Sequence, residues 1–221
     1  MKTKELVVFW DWNGTLIDDA FVFVHILNVL LKKNNLPKIN LQYYKENFCF
    51  PVVDFYKKLG LYKNASFFSL LNKNFILLYE QQKNTPKLKA NILSLIKFLN
   101  KKQIKQCVVS AQNNSTLNEL VSFYGVGSFF VDVVGVNNDL ACGKKKIAKI
   151  LKNKFAENKK ILVVGDTFLD FDVANHIGAD CVLVDWGHNS FEHLSHCGVP
   201  VFSSVKDLKR FFVNSLELTN L

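Results

Sequence analysis

Short apolar runs alternate along the chain with longer segments in which apolar residues recur every three or four positions. Each run is almost continuously apolar, as expected of a strand that is covered on both faces. The runs predict five strands, at Leu6–Asp11, Gln106–Ser110, Phe130–Val136, Ile161–Asp166 and Cys181–Asp185. The segments between them predict helices at Lys87–Lys102, Thr116–Tyr124, Lys144–Lys154, Asp170–Ile177 and His188–His196. This alternation predicts an α/β fold in which helices sandwich a parallel sheet.

One long segment interrupts the alternation after the first strand. Residues 18–84 show the helical spacing of apolar residues, contain no convincing strand and are punctuated by Pro37 and Pro51. We expect this segment to be an inserted α-helical domain. The remaining residues, 1–17 and 85–221, are then expected to form the core that contains the sheet.

The composition suits a folded protein with a sizeable core, because 49% of the 221 residues are hydrophobic and 21% are charged. A net charge of +9 would be compatible with a nucleic-acid partner. The basic residues are mostly scattered lysines, however, and Arg210 is the one arginine. Because recognition of bases and phosphates usually relies on arginine, we interpret the charge as a solvated surface and expect no nucleic-acid partner.

The chain shows neither a membrane span nor a secretion signal. Its longest apolar stretch, residues 20–31, contains His25 and Asn28 and is too short to cross a bilayer. The five cysteines form no C-x-x-C pair, so we expect reduced thiols in a cytoplasmic protein. No feature of the sequence indicates an oligomeric state.

Side chains that can do chemistry follow four of the predicted strands. Asp11 ends the first strand and precedes Asn-Gly-Thr, Ser110 ends the second, and Asp166 ends the fourth. A loop after the third strand leads to three consecutive lysines that begin at Lys144. Ligands bind beyond the carboxyl ends of the strands in open α/β sheets, so we expect these groups to meet at one rim.

Taken singly, each of these groups also has a structural interpretation. Asp11 suits a helix cap or a turn. Thr116 with Glu119 fits a capping box, and so does Thr167 with Asp170. Three lysines at the start of a helix oppose the helix dipole, so either they attract an anionic ligand or they spread into solvent.

Together, the order and spacing of these residues resemble the haloacid dehalogenase superfamily, in its phosphoglycolate-phosphatase-like branch with an α-helical cap. The segment Trp186-Gly187-His188-Asn189-Ser190 is also similar to one in that branch. The resemblance implies a Rossmann-like core of residues 1–17 and 85–221, with residues 18–84 as the cap. It covers nearly the whole chain and rests on Asp11-Trp12-Asn13-Gly14-Thr15-Leu16 followed by Asp18, on Ser110 after Val108-Val109, on Cys142-Gly143-Lys144, and on Gly165-Asp166-Thr167 with Asp170.

Enzymes of this superfamily transfer a phosphoryl group to a carboxylate, and water then hydrolyses the aspartyl-phosphate. The resemblance therefore implies a Mg²⁺-dependent phosphatase that acts on a small phosphorylated metabolite, with Asp11 as nucleophile. It implies that Asp11, the backbone carbonyl of Asn13 and Asp166 bind the magnesium ion. Asp170 would hold the waters of the metal or the carboxylate of Asp166.

The same resemblance assigns the groups that contact the phosphate. It implies hydrogen bonds to phosphate oxygens from Thr15, Ser110 and the loop amide at Ala111. Lys144 would offset the negative charge of the phosphoryl group and of Asp11.

Asn13 departs from the commonest pattern of the superfamily, which has an aspartate there as general acid and base. General acid–base catalysis is typically worth about 10²–10⁴-fold, and the amide has no such proton to give. Three interpretations stay open. The substrate has a leaving group that needs no proton; Asp18, Asp19 or His188 stands in; or the protein is an impaired catalyst that binds or senses a phosphorylated ligand.

The insertion is expected to close over the site and to select the substrate. Its aromatic side chains are interpreted mainly as core. Lys45, Lys57 and Lys63 are candidates for contact with a substrate carboxylate, or are surface residues. A receiver-type signalling domain also places acidic residues and a lysine at strand ends, but such domains are much shorter and lack the insertion.

Overall fold

A computed structural model describes residues 6–137, 143–155 and 159–217 of the chain. The strands are β1 (Leu6–Trp10), β2 (Ile17–Asp18), β3 (Lys87–Leu88), β4 (Lys105–Asn113), β5 (Asp132–Val136), β6 (Lys160–Gly165), β7 (Asp180–Val184) and β8 (Val201–Phe202). The helices are α1 (Ala20–Lys33), α2 (Leu41–Asn47), α3 (Val52–Lys58), α4 (Ala65–Gln82), α5 (Ile92–Lys101), α6 (Asn114–Phe123), α7 (Lys144–Lys152), α8 (Phe168–Ile177), α9 (Phe191–Ser195) and α10 (Val205–Glu217), with a 3₁₀ turn at Gly127–Phe129.

Six of these strands form one parallel sheet in the order β5-β4-β1-β6-β7-β8. Strand β1 lies in the middle, where Trp10 is opposite Val108 of β4 and Val164 of β6. Strands β4 and β5, which come next in the sheet, lie on one side of β1, and the later strands β6, β7 and β8 lie on the other side. Ligand sites of open α/β sheets form where the strand order reverses in this way, so the carboxyl end of β1 is the expected place for a site. The predicted α/β fold with a parallel sheet is confirmed.

Helices cover both faces of the sheet, which explains why its strands are apolar throughout. Side chains alternate between the faces along a strand. Val8 and Trp10 of β1 pack in the cluster that includes α5, α6 and α10, whereas Val7 and Phe9 pack with α7 and α8.

Helices α1–α4, here called the helical unit, lie between β2 and β3 and have their own apolar cluster. Leu27, Leu30, Tyr44 and Phe55 are buried in it. Strands β2 and β3 pair antiparallel as a two-stranded ribbon where the chain leaves and rejoins the core. Apolar periodicity could not predict strands of two residues. The domain boundaries at residues 18 and 84 stay a prediction.

Several elements differ from the sequence-based expectation. The predictions missed strand β8 and helix α10. Helix α5 begins at Ile92 rather than at Lys87, and α9 covers Phe191–Ser195 rather than the predicted His188–His196. The predicted capping box of Thr116 and Glu119 is wrong. Helix α6 begins at Asn114 instead, and the side chain of Asn113 accepts a hydrogen bond from the Ser115 amide at 3.0 Å. An Asx cap at Asn113, three residues before Thr116, therefore replaces the predicted one.

Among the described cysteines, Cys49, Cys107, Cys181 and Cys197 are free thiols, and Cys142 lies outside the described residues. Burial raises the pKa of Cys107 to about 12, so this thiol is a packing group rather than a nucleophile. Within the described ranges, no helix is long and apolar enough to cross a membrane. The cytoplasmic location stays a prediction.

Candidate active site

Three carboxylates meet at the carboxyl edge of the sheet and form what we call the carboxylate rim. Asp11 follows β1, Asp166 follows β6, and Asp170 lies in the first turn of α8. One oxygen of each lies within 4.8 Å of an oxygen of the other two, and all three residues are buried. Like charges this close are stable only when they are neutralised or share protons.

Lys144, the first residue of α7, supplies one positive charge to this rim. Its Nζ donates to Asp11 Oδ1 and to Asp170 Oδ1, at 2.5 Å in each case. Lys145 and Lys146 are exposed instead, and Lys145 pairs with Asp172. The three-lysine run therefore divides: its first member faces the protein's own carboxylates, and the other two face solvent.

Asp170 serves the helix and the rim at the same time. Its Oδ2 accepts from the amide of Thr167 at 3.0 Å and from the Thr167 hydroxyl at 2.7 Å. The predicted capping box of these two residues is confirmed. Because Oδ2 is held by the helix N-terminus, Oδ1 is free to orient Lys144.

Asp166 is held in an equally tight position. Its Oδ1 accepts from the Thr15 hydroxyl at 2.9 Å and its Oδ2 accepts from the amide of His188 at 2.6 Å. A Cβ on Gly187 would fall 2.1 Å from Oδ2, so only glycine lets the chain pass this close to the carboxylate. Thr15 points its hydroxyl at Asp166, and its expected contact with phosphate stays a prediction.

The electrostatics of the rim show excess negative charge. Burial raises the pKa of Asp11 well above its usual range; Lys144 opposes this, and Asp170 and Asp166 add to it. Burial likewise raises the pKa of Asp166 to about 6, and His188 partly opposes the shift. Burial alone would lower the pKa of Lys144, but Asp11 and Asp170 outweigh it and keep the ammonium charged.

Asn13 is tied into a second polar group beside the rim. Its Nδ2 donates to Asp19 Oδ2 at 2.7 Å and to the hydroxyl of Tyr79 at 3.0 Å. The other oxygen of Asp19 accepts from the amide of Gly14 at 2.8 Å. Both hydrogens of the Asn13 side-chain amide are thus donated in hydrogen bonds. Position 13 has no carboxylate, and the carboxylate of this polar group belongs to Asp19, six residues later.

His188 completes this group from the core side. Its Nδ1 lies 2.8 Å from the Tyr44 hydroxyl, and its Nε2 lies 3.3 Å from Asp19 Oδ1, poorly aligned for a hydrogen bond. Burial would lower the pKa of His188, but Asp19 together with Asp166 and Asp11 outweighs it and raises the pKa above the usual value. Of the three predicted stand-ins for the missing acid, Asp19 and His188 lie in this group. Asp18 is exposed and pairs with Lys89.

A cavity of about 460 Å³ opens above the rim, between the helical unit and the core. Its core side is lined by Asp11, Asn13, Ser110, Ala111 and Lys144. Most predicted site residues therefore share one space. Thr15, Asp166 and Asp170 are fully buried behind it and are not among the lining residues.

The segment at 185–190 fastens the helical unit to the core. Lys45 Nζ donates to the carbonyl of Asp185 at 2.6 Å, and Asn189 Nδ2 donates to the carbonyl of Phe48 at 2.8 Å. Lys45 is thereby engaged away from the cavity. Lys57 pairs with Asp54 on the surface, and Lys63 lies over the ring of Phe67, so neither lines the cavity.

The donor set of the rim fits a hard divalent cation. Three buried carboxylates face a single lysine, which leaves negative charge for a cation to balance. Oxygen ligands are those that Mg²⁺ prefers. The sequence alone could not show that Asp170 is committed to Lys144 and to the start of α8, which suits it better to a supporting role than to direct ligation.

Solved structures of similar shape share this architecture. They include a predicted phosphatase from Clostridium acetobutylicum (16% identity, TM-score 0.80, 96% of this chain and 99% of that chain). A predicted phosphoglycolate phosphatase from Haemophilus somnus has 19% identity and a TM-score of 0.74, over 96% of this chain and 99% of that one. Protein Tyrosine Kinase A of Mycobacterium tuberculosis has 20% identity and a TM-score of 0.77, over 95% of this chain and 98% of that chain.

These likenesses establish the fold, and the different activities in their names show that the fold alone does not fix the reaction. The comparison with curated proteins gave no significant match. Residues 8–184 match the sequence model of the haloacid dehalogenase-like hydrolases. This match covers most of the chain and includes Asp11, Ser110, Lys144 and Asp166 in the order that the sequence analysis expected. The chain belongs to the haloacid dehalogenase-like hydrolase family.

Proposed function

We propose that the protein is a Mg²⁺-dependent phosphatase that hydrolyses a small phosphorylated metabolite through an aspartyl-phosphate on Asp11. The observation that carries this is the position of Asp11, which lines the cavity and accepts a hydrogen bond from Lys144, another lining residue. The phosphatases among the structural neighbours support the proposal.

Asp11, Asp166 and the backbone carbonyl of Asn13 would hold the magnesium ion, with Asp170 in support. The ion would neutralise the negative charge that carboxylates and a phosphate dianion bring together. The three buried carboxylates and the single lysine bonded to two of them support this, because burial and the neighbouring carboxylates raise the pKa of Asp11 and of Asp166 and a cation would offset both effects.

The protein's own residues would position and stabilise the transferring group. The carboxylate of Asp11 attacks phosphorus, and Lys144 offsets the charge on the equatorial oxygens. Ser110 and the backbone at Ala111 line the same wall and are placed to donate hydrogen bonds to the phosphate. Asp170 keeps Lys144 in place throughout, since it holds Nζ from the side opposite the cavity.

The helical unit would act as the cap. It closes one side of the cavity, and the hydrogen bonds from Lys45 and Asn189 hold it against the core. A closed site excludes water from the first half of the reaction, in which water would compete with Asp11.

Release of inorganic phosphate from a panel of phosphate monoesters and acetyl phosphate tests the proposal. We expect turnover with Mg²⁺, none with EDTA, and a loss of at least about 10³-fold in Asp11→Asn. Asp18→Asn is the matched control, since it removes an exposed carboxylate from the same segment and should retain activity. Turnover in Asp11→Asn equal to that of the unmodified protein would refute the assignment of the nucleophile.

A further inference from the structure

The wall of the cavity that faces the rim is aromatic. Nine phenylalanine and tyrosine side chains between residues 23 and 79 line it. Helix α4 contributes Phe68, Asn72, Phe75, Ile76 and Tyr79, which are spaced to lie along one face of a helix. Rings such as Phe50 and Phe75 are only partly buried, so they offer surface to the cavity rather than merely filling the core.

No cationic group of the helical unit lines this cavity within the described residues. Lys144 and His188 are the basic groups on the core side, and both face carboxylates of the protein: Lys144 is shared by Asp11 and Asp170, and His188 lies 3.3 Å from Asp19. The cap side instead brings a carboxylate, Glu80, which accepts from the Thr116 hydroxyl at 2.9 Å and from Lys83 Nζ at 2.6 Å. A leaving group with its own negative charge would meet an apolar wall and a carboxylate, and no free positive charge.

From this wall, and on the basis of the proposed phosphatase function, we infer that the substrate is an aryl phosphate monoester, whose aromatic ring occupies the cavity. A ring gains both apolar burial and edge-to-face contacts against such a wall. A cavity of about 460 Å³ lies in the range of small-molecule sites. A two-carbon leaving group would leave the exposed faces of partly buried rings such as Phe50 and Phe75 uncovered.

The state of Asn13 leads to the same class of substrate by an independent route. Its amide is held by Asp19 and Tyr79 and gives no proton to the leaving oxygen. A phenol ionises near pH 10, as tyrosine does, whereas an aliphatic alcohol is closer to water at about 15.7. An aryl oxygen can therefore depart as the anion far more readily than an alkyl oxygen.

The reaction balances without another reactant. A bond forms between Asp11 Oδ and phosphorus as the bond from phosphorus to the aryl oxygen breaks, and the electron pair stays on that oxygen. The phenolate takes a proton from water after it leaves. One water molecule then hydrolyses the acyl phosphate, which releases inorganic phosphate and restores the carboxylate.

Steady-state kinetics with four substrates tests the inference: phenyl phosphate, 1-naphthyl phosphate, 2-phenylethyl phosphate and 2-phosphoglycolate. We expect kcat/KM for the two aryl esters to exceed that for phosphoglycolate by about 100-fold. The 2-phenylethyl ester keeps the ring but has an alkyl oxygen, so it should fall about 10-fold or more below phenyl phosphate. Equal rates for these two would overturn the leaving-group argument, and preference for phosphoglycolate would overturn the inference as a whole.

A pair of neighbouring substitutions on α4 tests the wall itself. Ile76 lines the cavity, whereas Leu77 is 63% exposed on the outer face of the same helix. Ile76→Lys should lower the preference for phenyl phosphate over phosphoglycolate by about 10-fold or more, because it places a cation on the wall. Leu77→Lys should leave the preference unchanged. An unchanged preference in a folded Ile76→Lys protein would contradict the assignment.

Calorimetry on Asp11→Asn separates this inference from the proposed function. The variant should bind phenyl phosphate at least about 10-fold more tightly than phosphoglycolate, whether or not the unmodified protein turns over either compound. Tighter binding of phosphoglycolate would overturn the inference alone. Tight aryl binding with no turnover of any ester or of acetyl phosphate would keep the ring-binding cavity and overturn the proposed phosphatase.

Discussion

The carboxylate rim and the helical unit lie on opposite sides of one cavity and are held together by different interactions. The rim has charged groups fixed by short hydrogen bonds at the ends of β1 and β6 and the start of α7. The helical unit has aromatic rings packed at varied angles, such as Phe23 against Phe75 and Tyr44 against Phe55. The comparison teaches that the reactive groups and the apolar surface of the cavity belong to separate parts of the chain, so each can be altered without the other.

The largest expected effect comes from removing the one cation of the rim. Lys144→Met leaves the buried carboxylates of Asp11 and Asp170 without their cation, which costs about 3–5 kcal/mol of unfolding free energy in the absence of metal. Lys145→Met removes a neighbouring lysine whose ion pair is exposed, and it should cost less than about 1 kcal/mol. Urea unfolding of both variants in EDTA provides the measurement. Similar losses in the two would mean that Lys144 is not the charge that holds the rim together.

The next effect is the pH dependence of stability. The pKa of Asp166 is raised from 3.8 to about 6, so the folded protein binds this proton more tightly than the unfolded chain does. The metal-free protein should therefore lose stability as pH rises through this window, by about 3 kcal/mol from this residue. Mg²⁺ binds the deprotonated form and should raise Tm much more at pH 8 than at pH 5.

Asp166→Asn is the control for this pH dependence, because its side chain does not titrate. Thermal melts of the variant should lose the contribution of Asp166 to the difference between pH 4 and pH 7, and the part that remains is expected from Asp11, whose pKa is also raised. A Mg²⁺ effect on Tm that is the same at every pH would show that the carboxylates of the rim are not what the cation binds.

A smaller effect concerns the group around Asn13, which lies between the two regions. Asn13→Asp alone would set a carboxylate 2.7 Å from Asp19, so we expect it to cost about 1–3 kcal/mol. Combination with Asp19→Asn should restore stability and raise turnover of alkyl phosphates by about 10-fold or more. Denaturant melts and phosphate release with 2-phenylethyl phosphate measure both. A double variant no faster than the unmodified protein would show that a missing acid does not limit the rate.

The smallest expected effect tests the contact between the two regions. Tyr44→Phe removes the hydrogen bond to His188 Nδ1 and should cost about 1 kcal/mol. Tyr43→Phe, on the neighbouring and exposed ring, should cost almost nothing. Thermal melts of the two variants compare them directly, and equal losses would mean that the buried hydroxyl does not fasten the helical unit.

The rim could be predicted from sequence because its chemistry is tied to strand ends. An apolar run that stops at Asp11 or Asp166 marks both the strand and the residue that projects from it. The solvent alternative holds for Lys145 and Lys146, whereas Lys144 turns inward to the protein's own carboxylates and its contact with an anionic ligand stays a prediction. A run of identical residues does not show which of them turns inward. Asp170 likewise had two interpretations: the structure confirms the capping box and adds a contact with Lys144, and its support of a metal ion stays a prediction.

The cavity could not be predicted in the same way. A ring such as Phe48 has the same apolar pattern whether it faces the core or a cavity, so the aromatic residues of the insertion were assigned to the core. Several of them pack in the apolar cluster of the helical unit and also line the cavity. Partners such as Tyr79 of Asn13 and Tyr44 of His188 are more than 60 residues away in sequence, and no local signal connects them.

The hydrogen bonds from Asn13 and Gly14 to Asp19 also affect how readily Asn13 deamidates. Asparagine followed by glycine deamidates when the glycine nitrogen attacks the side-chain carbonyl carbon. Here the Gly14 N–H is held by one oxygen of Asp19 and the Asn13 amide by the other. The native fold thus protects the pair, and time spent unfolded exposes it. A preparation recovered from denaturant would therefore accumulate molecules in which Asn13 has become a carboxylate, at the position where the family most often has one. The fraction of deamidated Asn13 would then report how long the protein had been unfolded.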